Sequence, residues 1–148
     1  MEIQKRSNVS AVDTMLFEYR KLWWLTFNLE IGADKNCSSL LMAFYSENPL
    51  SNNWKEHKLN PLLFDSRIGR NGGILNVHNN FPIRVRQRQG FNLYGSSMSL
   101  AKINKLTPNS FEEKEMLKIT PSFFKNAIGT HHMHSNNDYT VYDFFSKK

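Results

Sequence analysis

The sequence predicts an all-β protein. Short runs rich in aromatic and β-branched residues recur about every ten residues, with turn residues between them, the spacing of a sandwich, barrel or propeller. Heptads, a Walker loop, a dinucleotide-binding glycine signature and zinc-ligand spacing are all missing. At 148 residues the chain suits one domain or part of a larger one.

The elements follow in order. Met15–Tyr19 and Leu22–Asn28 flank Arg20-Lys21 and form a hairpin, and Ser39–Tyr45 is the next strand. Pro49 and the asparagines around it break that strand. Residues 54–65 are irregular, with Asn60-Pro61 as a second breaker. Gly72-Gly73 opens a strand to about His78, and Asn79-Asn80 turns it into Pro82–Arg88. Tyr94–Leu106 holds a further strand. Phe111–Lys118 is helical by propensity and strand-like by context. Thr130–His134 and Tyr139–Phe145 form the last pair.

Composition narrows the function. Hydrophobic residues make up 40% and charged ones 22%, an ordinary globular balance. The longest apolar run, Leu22–Phe27, is far short of the roughly 20 residues that cross a bilayer. The N-terminus lacks the apolar core of a secretory signal, so cytoplasmic residence is the expectation. A single cysteine, Cys37, in a polar loop and without a base nearby, excludes an intramolecular disulfide. A membrane protein, a disulfide scaffold and a classical zinc finger are excluded.

The formal charge of +6 favours anionic partners. Arg84, Arg86 and Arg88 share one face if they lie on a strand. That face is either solvated or a nucleic-acid surface. Nucleic acid is the weaker reading, because no nucleic-acid motif accompanies the patch.

Several motifs carry a family resemblance. Trp54, His57, Asn60-Pro61, Asp65, Arg70 and Gly72-Gly73 follow the order of a "W…HP.NP…D…R..G" signature. Ile83–Gln87 matches an "R..Q" strand, Tyr94-Gly95 a "YG" pair and Ile103–Thr107 an "I..LT" element followed by Phe111–Glu113. Gly129–His131 and Tyr139–Asp143 match a closing "G.H…Y.V.D" hairpin, and Ala11–Thr14 with Trp23–Leu25 an opening "aDpT…WWLF". Together these resemble a five-bladed β-propeller similar to family 43 glycoside hydrolases. That type is found beside formyltransferase-like modules and at the N-terminus of plant glucosamine inositolphosphorylceramide transferases. The resemblance covers about residues 12–145. It departs at Thr14, where the family usually has proline, and it starts at the family's second half.

The resemblance implies a partial propeller of two to three blades over residues 11–148, behind a lead of residues 1–10. Five blades need about 200–250 residues, so the expectation is a fragment, a split product, or one partner of an assembly in which a second copy or another chain completes the ring. The resemblance places Asp13, Arg70, Arg84, Gln87, Tyr94 and His131 near the central funnel, with Asp13 as the catalytic candidate. These residue types suit a sugar or sugar phosphate: amide and carboxylate groups bond hydroxyls, rings stack on sugar faces, and arginine pairs with phosphate. Bland readings stand beside these. Asp13 could cap a turn with Thr14, and Tyr94 could simply pack. Arg84 and Gln87 face opposite ways unless a bulge separates them. The glycines beside Arg70 would let backbone approach a ligand.

His131, His132 and His134, with Asp138 or Asp143, raise a metal reading, but no remote ligand supports it and no cofactor is expected. Glycoside hydrolysis normally needs two carboxylates, and only Asp13 is identifiable. The leading expectation is therefore carbohydrate binding in glycoconjugate biosynthesis. The alternatives are a hydrolase or transferase completed by another chain, and a basic nucleic-acid module.

Overall fold

A computed structural model of the protein describes residues 9–31, 37–77, 81–90, 93–135 and 138–147. Within them the chain is all β, with one 3-10 turn at Pro121–Phe123. No helix among them is long and apolar enough to cross a membrane.

The first sheet lays β1 (Val9–Tyr19), β2 (Leu22–Ile31) and β3 (Cys37–Ser46) side by side. The short β4 (Lys55–Glu56) and β5 (Leu63–Phe64) both pair along β3. A second meander follows: β6 (Asn71–Val77), β7 (Phe81–Arg88), β8 (Ser97–Thr107) and β9 (Ser110–Ile119). On its β6 side it gains β11 (Met133–Ser135) and β12 (Thr140–Tyr142), while β10 (Ala127–Gly129) pairs with β13 (Phe145–Ser146). Pairing is antiparallel everywhere except between β6 and β11, which meet in parallel at Leu75 and Ser135. The sheets do not close into a ring among the described residues.

The hairpins form where alternation predicts them. Arg20 and Lys21 both take positive φ, 53° and 63°, which suits the right-handed twist of the strands they join. Residues 110–119 are strand, because β8 offers a ladder that outweighs their helical propensity. Cys37 opens β3 and is not in a loop. The expected Asn79-Asn80 turn and most of the lead fall outside the described residues.

The Trp54–Pro61 motif proves to be architectural. His57 is buried, and its Nδ1 accepts the Leu59 N–H at 3.0 Å. Asn60 imitates a strand partner for Ala43, accepting its N–H at 2.9 Å and donating to its carbonyl at 2.8 Å.

One core cluster joins the two sheets through Phe17, Tyr19, Trp24, Ile74, Ile103 and Leu106. Of the adjacent tryptophans, Trp24 is the buried one. A second cluster of Leu75, Ile83, Val85 and Met98 packs under Met133. It seats the C-terminal segment on β6 and β7.

Candidate functional site

Asp13 is not a turn cap. It sits in a bulge of β1, between Val12 and Met15, with φ at 52°. Bulges redirect side chains, and aspartate is among the few residues that tolerate the left-handed region. Two buried asparagines fix what faces it. Asn28 accepts the Asn71 N–H at 2.8 Å and donates to the Gly69 carbonyl at 3.0 Å. Asn71 donates to the Asp13 carbonyl at 3.1 Å. Residues 69–71 are thereby tied to β2 and to the bulge, and Arg70 Nε meets Asp13 Oδ2 at 2.7 Å.

The contacts continue from there. The Arg70 guanidinium lies 5.0 Å from the centre of the Tyr94 ring. Tyr94 meets His131 edge-on at 5.0 Å. His131 Nδ1 stands 2.5 Å from Asp143 Oδ2, a close contact without hydrogen-bond alignment. The other oxygen of Asp143 accepts the N–H groups of His131 and His132 at 2.9 and 2.8 Å. A partly exposed string, Asp13–Arg70–Tyr94–His131–Asp143, thus joins five stretches of the chain.

Glycines permit this convergence. A Cβ on Gly72 would fall 2.4 Å from the His131 carbonyl, and one on Gly95 2.7 Å from the His131 Cβ. What comes close to Gly72-Gly73 is therefore the chain's own backbone at residues 131–133.

Gln87 lies beneath the string. Its N–H donates to the Arg70 carbonyl at 2.9 Å. Its side chain is buried and its Oε1 has no partner among the described residues. An unmatched buried carbonyl costs about 1–3 kcal/mol, so a ligand or water donor is the natural complement. Gln87 is opposite Met98, on whose Sδ the Thr130 hydroxyl rests at 3.9 Å. It therefore faces the side that residues 130–131 cover.

Arg84 is placed elsewhere. The β7–β8 register runs without interruption from Ile83 to Arg88, so no bulge there brings Arg84 round to the face of Gln87. Arg84 is buried in a two-pronged pair with Glu113, at 2.7 and 2.8 Å, and also donates to the Ile68 carbonyl. Arg86 bonds Ser99 and pairs with Glu113 and Glu115, and Arg88 pairs with Glu115. The three arginines share a face as predicted, yet that face is not solvated at Arg84 and Arg86. Ser99 and Ala101 on β8 are small enough for the guanidinium groups to lie across them toward β9. Burial pushes the Arg86 pKa down, against the pull of Glu113.

Five of the six residues expected in a funnel come together: Asp13, Arg70, Gln87, Tyr94 and His131. Sequence reading missed Asp143 as their neighbour, having weighed it only as a metal ligand, and missed Asn28 and Asn71 altogether. Among the described residues, no group of three or more His, Cys, Asp and Glu side chains is placed to hold a metal ion. Asp65 is a turn residue, its carboxylate bound to the backbone and side chain of Arg67.

A family model described as glucosamine inositolphosphorylceramide transferase 1, N-terminal, matches residues 5–138. Two curated rice proteins carry the name glucosamine inositolphosphorylceramide transferase 1, one from Oryza sativa subsp. japonica and one from subsp. indica. Each is 37% identical over 106 residues, covering 69% of this chain and 14% of the relative. The chain thus spans a small part of the length of the relatives it matches. No solved structure gives a significant match.

Proposed function

The chain belongs to the glucosamine inositolphosphorylceramide transferase 1 N-terminal family, and from that premise we propose that it recognises a sugar or sugar phosphate in glycoconjugate biosynthesis. The observation that carries the reading is the Asp13–Arg70–Tyr94–His131 string with the unmatched Gln87 carbonyl beneath it. Carboxylate and amide oxygens bond sugar hydroxyls, a half-exposed tyrosine offers a stacking face, and arginine supplies charge for a phosphate.

The propeller reading gains support from where these residues fall. Asp13 is on β1, Arg70 immediately precedes β6, and His131 precedes β11. β1 opens the first sheet and β6 the second meander, which β11 joins along β6. The parallel contact of β6 with β11 is what inner strands of neighbouring blades would make. We read the chain as two blades and the start of a third.

Ligand-observed NMR with glucosamine and with inositol phosphate tests the proposal. Binding should appear with the wild type, vanish in Arg70→Ala and Tyr94→Ala, and persist in Arg67→Ala. Equal behaviour of all four proteins, or no binding by any, would overturn it.

A second reading, sugar transfer or hydrolysis in a completed assembly, draws on Asp143, which puts a second carboxylate at the far end of the string. It requires Asp13→Asn to abolish turnover while the fold survives. The nucleic-acid alternative has lost its support, because Glu113 and Glu115 neutralise the arginine face.

A further inference from the structure

The C-terminal strands carry a feature that the proposed site does not use. Phe123 and Phe124, in and after the 3-10 turn, meet Tyr142 and Phe144 in one aromatic cluster. Phe123 is 4.9 Å from Tyr142, and Phe124 stacks on Phe144 at 4.4 Å. The four rings remain between 41% and 45% exposed, so they form a surface and not a core. Soluble surfaces rarely leave four contiguous rings uncovered without an interaction to make.

Charge distinguishes among the occupants. Lys125 follows Phe124, and Lys147 follows Ser146, which pairs with Ala127. Both lysines therefore stand at the same end of the β10–β13 ladder, and Lys125 adjoins Phe124 in the chain. Neither forms an ion pair among the described residues. A second copy of the chain, itself at +6, would be repelled. Strand addition is also poorly served, since the open edge beside the rings, β12, is only three residues long. Aromatic rings flanked by lysines match the chemistry of a bilayer interface, where rings sit at headgroup depth and lysines meet anionic lipid.

Position supplies the last step. Asp143 stands between Tyr142 and Phe144 in sequence, and its carboxylate contacts His131. The end of the candidate site and the aromatic surface thus share one segment. We propose that Phe123, Phe124, Tyr142 and Phe144, with Lys125 and Lys147, dock the protein on an anionic bilayer surface. The candidate site would then stand beside the lipid headgroups. The docking surface needs no ligand in that site, so it holds or fails independently of the sugar reading.

Vesicle co-sedimentation at low salt tests it, with three compositions: phosphatidylcholine alone, with phosphatidylserine, and with phosphatidylinositol. Binding should be weak on the first, strong on both anionic mixtures, and reduced by salt. The double variant Phe123→Ser/Phe124→Ser should bind about tenfold less, and Lys125→Glu roughly fivefold less or weaker still. Thermal unfolding checks that both variants remain folded. Arg70→Ala should bind phosphatidylserine vesicles like the wild type, even if its sugar binding is gone. Failure to bind anionic vesicles would overturn the proposal, as would full binding by the ring variant. Self-association that the ring variant removes, without vesicle binding, would assign the surface to a polypeptide partner and also overturn it.

Discussion

Asp143 holds His131 from two sides. One carboxylate oxygen lies 2.5 Å from Nδ1, and the other accepts the His131 backbone N–H at 2.9 Å. The imidazole is therefore set by its own main chain, and its other nitrogen is left to face away from the carboxylate. Tyr94 closes one side of the ring, and Gly95 has no Cβ that would push it aside. An oriented histidine of this kind is a hydrogen-bonding group of fixed direction, whichever ligand it meets.

The first prediction isolates that orientation. Asp143→Asn preserves a carbonyl oxygen for the two N–H groups but removes the charge beside Nδ1. The fold should survive, while affinity for the ligand that wild type binds should fall about tenfold, the usual scale for a positioning partner. The ring nitrogen chemical shifts of His131, read by NMR at a single pH, should change in the variant. Unaltered shifts would mean that the carboxylate serves the backbone alone.

A second prediction concerns Asp13, whose φ of 52° is unfavourable for most residues. Asn tolerates this region, so Asp13→Asn should alter stability by no more than about 1 kcal/mol. Asp13→Val, β-branched, should cost about 1–3 kcal/mol. Both should lose the pull on Arg70 and with it ligand affinity. Urea denaturation separates the two effects. Equal stability of the two variants would show that the bulge relaxes freely.

How much of this was legible in the sequence depends on which interaction decided each element. Alternation and turn residues gave the hairpins, because period-two burial is written locally. Motif order led to Asp13, Arg70, Gln87, Tyr94 and His131. What escaped was settled by long-range pairing. Asn28 and Asn71 look like ordinary strand residues until they bond each other across 43 positions. Residues 111–118 read as helix or strand until β8 lies beside them. The arginine face looked solvated because its neutralising Glu113 and Glu115 are two strands away. Ser99 and Ala101, small residues in alternate positions, were the available signal that something would lie across β8.

The pH dependence of one turn gives a third prediction. The side chain of Arg67, and then its backbone N–H, hold the Asp65 carboxyl near 2 against an ordinary 3.8. A lowered folded-state value means that the ionised form adds stability above the unfolded pKa, and that this increment is lost as pH falls toward 2. Asp65→Asn should therefore be slightly less stable than wild type at pH 6, a modest gap because the pair faces solvent. The gap should close between about pH 4 and pH 2. A gap independent of pH in denaturation curves would show that only the hydrogen bond to the backbone matters.

The Arg84–Glu113 pair supports the sharpest stability test. Both side chains are nearly inaccessible, at 1% and 5% exposure, so each charge depends on the other for compensation. Glu113→Ala would leave Arg84 buried against the Ile68 and Gly69 carbonyls and an emptied carboxylate position. The expected loss is about 3–5 kcal/mol in chemical denaturation. Replacing both partners with apolar residues, Arg84→Met with Glu113→Leu, should recover most of it, since a buried ion pair contributes little beyond its isostere. Arg86 would keep Glu115 and Ser99 in that double variant. A double variant as unstable as Glu113→Ala would mean that the bonds from Arg84 to residues 68–71 are themselves what fixes the Arg70 loop. In that case Arg84, though outside the string, would govern ligand affinity through Arg70, and the double variant would lose binding along with stability.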